Sequence, residues 1–253
     1  MNARHNSRPR SFTFHSLIRM KTNTLTLFVL ALVASLSFAF TRPMEEVRTF
    51  NVSGFDKVDM GSAFTINIVQ GSQFSVKATG RDEDLDDLEA NVTGNTLKIR
   101  YKNTKWGWNN RKQVRIDVTM PQLRGMDFSG ACTATVRGFR NQGNVRLEIS
   151  GASTTNIDLD ADQLAVDFSG ASTVNLNGKA TRMEGEVSGA TTVKAYNLQT
   201  RQVVLDVSGA SGVSVSATEK VNVQASGASS VRYRGGASVS SNTSGASSVR
   251  RDG

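Results

Sequence analysis

The sequence predicts an all-β chain wound as a right-handed parallel β-helix, a solenoid with coils of 18–21 residues. The tripeptide Ser-Gly-Ala recurs with its serine at Ser129, Ser150, Ser169, Ser188, Ser208, Ser226 and Ser244, at intervals of 21, 19, 19, 20, 18 and 18 residues. A repeat of this period marks a stack of similar coils. Apolar residues alternate on both sides of each tripeptide, the pattern of a half-buried strand. No helical pattern interrupts the strands, so a wound helix of strands fits better than a layered α/β sheet.

One coil shows the logic. Val203, Leu205 and Val207 precede Ser208-Gly209-Ala210, and Val213 and Val215 follow it. The same alternation occurs in Val145, Leu147, Ile149 and then Ile157, Leu159, and in Leu164, Val166, Phe168 and then Val174, Leu176. Each coil therefore reads strand, corner, strand, loop. Glycine tolerates the positive φ of a sharp corner, alanine is small enough to point into it, and serine can bond the amides that the bend leaves free. Stacked about 4.8 Å apart, each strand pairs with its copy above and below. The Leu-x-x-Leu-x-Leu frame of a leucine-rich repeat is missing. A left-handed helix of hexapeptides is the remaining alternative, but no six-residue apolar period runs here.

Along the chain, residues 1–39 read as a signal peptide, with Met20 as a candidate true start. Lys21 opens a basic start, Leu25 to Phe40 is apolar, and Ser37-Phe38-Ala39 offers small residues for cleavage. An uncleaved membrane anchor is the alternative, although the apolar run is short for a span. Residues 40–253 are expected to form one domain: an irregular start over 47–120 that caps the solenoid, and regular coils over 121–253. Alternating segments at Val47–Val52, Phe64–Val69, Phe74–Ala78, Thr96–Tyr101 and Val114–Met120 are separated by turn residues at Gly71 and Gly94-Asn95. Phe55 to Phe64 aligns with Leu123 to Cys132, so a first coil is expected there. The acidic run Asp82 to Glu89 reads as a short helical turn on a solvated face.

Charge excludes one class of partner. The chain has 30 basic and 22 acidic residues, a net of +8, but the leader holds five of the basic residues and no acid. Without it the balance is 25 against 22, a net of +3, so the high overall charge does not argue for nucleic acid, which would need a basic stripe on the folded domain. Both histidines, His5 and His15, lie in the leader. The single cysteine, Cys132, stands where most other coils carry Ser or Thr, and reads as a small buried substitute without a disulfide.

Taken in order, Phe55-x-x-Val58-x-x-Gly61, the run Phe64 to Gly71, Leu97-Lys98-Ile99, Met120-Pro121-x-Leu123 and the Ser-Gly-Ala coils resemble the bacterial "putative auto-transporter adhesin, head GIN domain" family. The resemblance spans about residues 50–250. It implies a right-handed β-helix on an exported protein and carries no catalytic residues across. The chain departs from an autotransporter in showing no ten-residue alternating strands of an outer-membrane barrel after its last coil.

Candidate chemistry lies in two places. Asp127, Glu148, Asp167, Glu186, Asp206 and Gln224 each stand two residues before a corner serine. Alternation points them outward as a column. The five acids are weak candidates for a cation ladder or a polysaccharide groove, and a solvated ladder is the plainer expectation, with no metal site and no cofactor. The second place is the stretch 102–112, which holds both tryptophans, Trp106 and Trp108, with Lys105 and Arg111 among four basic residues. Aromatic faces suit sugars or membrane interfaces, and a packed hairpin tip is the alternative. Ser/Thr ladders beside Ser153, Ser172, Thr191, Ser211, Ser229 and Ser247 are expected to be exposed, flat and polar. The sequence thus predicts an exported, non-catalytic, adhesin-like or envelope module. Its expected partner is a glycan or envelope component, and its expected place the periplasm, cell surface or medium. A carbohydrate-active lyase or hydrolase on the same scaffold is the alternative. Against it, the coils lack the one irregular Asp, Arg or Lys cluster that a cleft would need.

Overall fold

The computed structural model describes residues 45–102 and 111–252. The predicted signal peptide, with Met20, and the residues Lys105, Trp106 and Trp108 lie outside them. The described chain is nearly all β and forms a β-solenoid of about seven turns. Its regular part comprises β8 (Gly125–Phe128), β9 (Thr133–Ile149), β10 (Thr154–Phe168), β11 (Thr173–Val187), β12 (Thr192–Val207), β13 (Gly212–Ala225), β14 (Ser230–Arg234), β15 (Ser238–Thr243) and β16 (Ser248–Arg251). All neighbours among them pair in parallel. Register aligns equivalent positions of successive coils. Phe128, Ile149, Phe168, Val187, Val207 and Ala225 form one inward column, all buried. Burial of such columns, at about 1.5–3 kcal/mol per large side chain, drives the stacking.

The corners also bond from coil to coil. Each corner alanine N–H donates to the glycine carbonyl of the coil before, as in Ala171 to Gly151 at 2.8 Å and Ala190 to Gly170 at 2.7 Å. The roles of the corner residues differ from the sequence expectation. The alanines are exposed, and the residue after each one is buried, except at the last corner, where Ser247 is half-buried. Ser153, Ser172, Thr191, Ser211 and Ser229 are at most 2% exposed, so they are not the outward ladder expected of them. Strand alternation is broken by the positive-φ glycine, which turns the next residue but one inward. These hydroxyls satisfy the bend: Ser172 Oγ donates to Ser169 O at 3.1 Å and sits 3.2 Å from Gly151 O. Cys132 fills the same place, its thiol 2.9 Å from Ser62 O and 3.1 Å from Ser129 O. Burial pushes that thiol's pKa up, which suits a packing residue rather than a nucleophile.

The less regular part holds β1 (Glu46–Phe50), β2 (Lys57–Met60), β3 (Thr65–Gln70), β4 (Ser75–Gly80), α1 (Asp82–Asp86), β5 (Leu88–Thr93), β6 (Thr96–Tyr101) and β7 (Arg115–Met120). The expected first coil is present: Met60 pairs with Phe128 and Thr65 with Thr133. Stacking order departs from chain order, because β2 also pairs with β6, and β3 with β7, on the side away from the regular coils. Antiparallel β4, β1 and β5 then cover that end. The acidic run is more than a solvated face. Asp84 is 4% exposed, takes the Arg81 Nε–H at 2.7 Å and receives the Lys112 backbone N–H at 3.2 Å.

At the far end of the described residues the core columns turn partly polar. In register with Val223 and Ala225 the last coil places Ser241 and Thr243, and in register with Tyr233 it places Arg251. Polar residues thus occupy several core columns of the last coil, while Val239 and Val249 continue two others.

Candidate binding surfaces

Outward positions form columns because parallel in-register pairing repeats each side chain about every 4.8 Å. The acidic column exists and starts earlier than the corner spacing suggests. Asp59 pairs with Asp127, and the line continues through Glu148, Asp167, Glu186, Asp206, Gln224 and Asn242. Lys98 stands beside Asp59 at the head of it. Compensation is concentrated at this end: Arg100 reaches Asp59 at 2.7 Å, Lys98 at 3.8 Å, and Arg146 pairs with Glu148. Asp167, Glu186 and Asp206 make no ion pair among the described residues. Burial first, then the neighbouring Asp59 and Glu148 charges, raise the Asp127 pKa. Among the described residues no group of three or more His, Cys, Asp or Glu gathers as metal ligands would, because the carboxylates stand in single file. An open groove of about 240 Å³ lies along Glu186, Asp206, Gln224 and Asn242 and the corner serines beside them.

Arg111 lies near the head of the solenoid. Its guanidinium stacks 4.0 Å over the Tyr101 ring and pairs with Asp87. Tyr101 also leans on Phe64, ring centres 5.2 Å apart. Burial, with the Asp84 charge second, pushes the Tyr101 pKa up to about 12. A small hollow of about 180 Å³ opens between Ser62, Ala63, Tyr101, Arg111, Lys112 and Gln113.

The strand after the corner presents a second face that the residue-by-residue pattern did not single out. Thr65, Thr133, Thr154, Thr173 and Thr192 stand in one column. The hydroxyl ladder is therefore the fourth residue after the corner serine, one beyond the position expected, and Gly212 interrupts it. Beside it runs Asn67, Thr135, Asn156, Asn175, Lys194, Ser214, Arg232 and Arg250. Asn175 Nδ2 donates to Asn156 Oδ1 at 2.8 Å, an amide rung that fixes side-chain orientation. A fixed offset from Ser-Gly-Ala would have exposed both columns in the sequence.

These features define a parallel β-solenoid whose outer faces carry ordered ladders of small polar and charged side chains. The chain belongs to the family described as "putative auto-transporter adhesin, head GIN domain", whose model matches residues 54–237. Among solved structures, a "putative adhesin" from Bacteroides fragilis is similar with a TM-score of 0.77 and 24% identity, over 83% of this chain and 98% of that one. A "putative lipid binding protein" from Parabacteroides distasonis gives 0.64 and 18%, over 84% and 98%. A "putative adhesin" from Parabacteroides merdae gives 0.59 and 14%, over 84% and 98%. At these identities the likeness is one of fold. No curated protein matches the sequence. No helix among the described residues is long and apolar enough to cross a membrane.

Proposed function

We propose that this protein is an exported, non-catalytic, adhesin-like binding module of the cell envelope, with a glycan or envelope component as its partner. The observation that carries this reading is the family match over residues 54–237. The uniform, rigid polar ladders support it, since such arrays suit a repetitive ligand better than a single reacting bond. Export rests on the leader at residues 1–39, with its apolar run and the small-residue step at Ala39. The stretch carrying Lys105, Trp106, Trp108 and Arg111 is the proposed contact. Loops on a rigid scaffold commonly carry recognition, and aromatic faces stack on sugars.

The test is a screen of envelope glycans and peptidoglycan with the secreted protein, followed by Trp106→Ala with Trp108→Ala. Binding should weaken by about tenfold, on the order of 1.4 kcal/mol, with the melting temperature held. Unfolding of the double variant would make the tryptophans packing residues. Normal folding with undiminished binding would move the contact away from the loop.

A further inference from the structure

We infer that the far end of the threonine face is a docking surface for an anionic polysaccharide, centred on Arg232, Arg250 and Lys194. This rests on the binding role proposed above and names the chemistry of one partner. It concerns a surface at the opposite end of the stack from Arg111.

Arg232 and Arg250 stand directly in register on β14 and β16, and Lys194 lies in the same column with Ser214 between. All three cations are exposed. None of them makes an ion pair among the described residues. The one acid close by, Asp252, is committed elsewhere: it accepts the Tyr196 hydroxyl at 2.7 Å and Arg234 at 3.0 Å, while Arg234 stacks on the Tyr196 ring at 4.1 Å. Like charges directly opposite across strands destabilise a sheet. The acidic column of the other strand face is buffered at its head by Lys98, Arg100 and Arg146 and ends in neutral Gln224 and Asn242. The basic column instead ends in two adjacent guanidinium groups without an ion pair among the described residues, with only the more distant Asp252 charge acting on Arg232.

The neighbours of this column set the kind of anion. Thr173, Thr192, Ser230 and Ser248 supply hydroxyls along the neighbouring column, which Gly212 interrupts between Thr192 and Ser230, with Asn175 beyond Lys194. A guanidinium fork matches a carboxylate or phosphate in a bidentate way. Rungs about 4.8 Å apart repeat at close to the length of a sugar ring. An extended chain of acidic sugars laid along the column would place charged groups over arginine and hydroxyls over threonine. A lipid surface fits less well. Peripheral membrane binding needs apolar side chains to insert, and the exposed large hydrophobics among the described residues are Val47 and Val239, neither of them in this column.

The test uses the protein secreted with its own leader, and measures binding to polygalacturonate, to neutral dextran and to phosphatidylglycerol vesicles. The variants are Arg232→Ser with Arg250→Ser, which copies the serine already present at Ser214, and Lys57→Ser with Arg146→Ser, which removes the same charge from the other face. The expected result is salt-sensitive binding of polygalacturonate that falls about tenfold in the first variant and stays within about twofold in the second, with both melting curves unchanged. Equal loss in the two variants, or undiminished binding without Arg232 and Arg250, overturns the inference. So does arginine-dependent binding to vesicles without binding to the polymer. Binding of dextran alone overturns this inference and leaves the glycan-binding role standing. Binding of no polymer, here and in the wider glycan screen, removes both.

Discussion

The carbonyl oxygen of Gly170 accepts the Ala190 N–H at 2.7 Å and occupies the place where a Cβ on Gly189 would stand. Gly189 also has φ +75°. Two independent constraints, a backbone conformation that resists side chains and a coil spacing that excludes them, thus meet at one residue. Gly189→Val should cost more than about 1 kcal/mol, within the 1–3 kcal/mol typical of a residue forced into strained backbone. Denaturant melts of the two proteins measure it, and coincident curves would mean that the corner is not the fastener of the stack.

Thr155 gives the opposite expectation. It sits in the inward column between Ala134 and Val174, is fully buried, and its hydroxyl has no hydrogen-bond partner. A buried unpaired polar group costs about 1–3 kcal/mol. Thr155→Val keeps the shape and removes that group, so it should raise stability by about 1 kcal/mol. A loss of stability in the same melts would mean that the hydroxyl is satisfied in solution.

Asp127 links the acidic column to pH. Its pKa in the folded protein is raised above the ordinary 3.8, by burial and then by Asp59 and Glu148. A folded state that holds its proton more tightly than the unfolded chain is favoured at low pH. That advantage is complete below the ordinary value and is lost as pH rises through the raised one. Asp127→Asn should therefore melt higher than the parent near pH 7, with the difference fading as the pH falls through the raised value and gone below about 4. A difference that stays constant from neutral to acid would show that the column charges do not interact.

The last coil predicts self-association. Ser241 and Thr243 end core columns that run through Val223 and Ala225. Ser241→Val with Thr243→Val would extend the apolar core to the open edge, and uncovered strand edges invite pairing with another chain. Sedimentation should show dimers or larger species that grow with concentration, while the parent under the same conditions does not change. An unaltered distribution would mean that the end is protected by something other than these polar residues.

Much of this fold was legible because the local pattern and the global stack agree. Alternation around Leu164 to Phe168 and Val174 to Leu176 marks the same inward residues that the structure buries. The acidic column followed from a fixed offset to the corner serine. The corner itself was misread at Ala152 and Ser153, because a positive-φ glycine breaks the alternation that the reading relied on. The placing of β2 and β3 between β6, β7 and the regular coils was not legible either. Register between strands distant in the chain leaves no trace in either strand alone. Arg232 and Arg250 escaped notice for a related reason: they look like scattered surface charge until the coils are aligned on one another. In the sequence Asp84 looks like one of several solvated acids, because the Lys112 amide that closes over it comes from a distant stretch of the chain.

The most direct test of the account is to incubate the secreted protein with purified envelope polysaccharides and follow bound fraction and polymer length together. The account predicts saturable binding with the polymer recovered at its original length. Failure to bind any envelope polymer, or release of new reducing ends that disappears on substitution of a single acid such as Asp167→Asn, would contradict it.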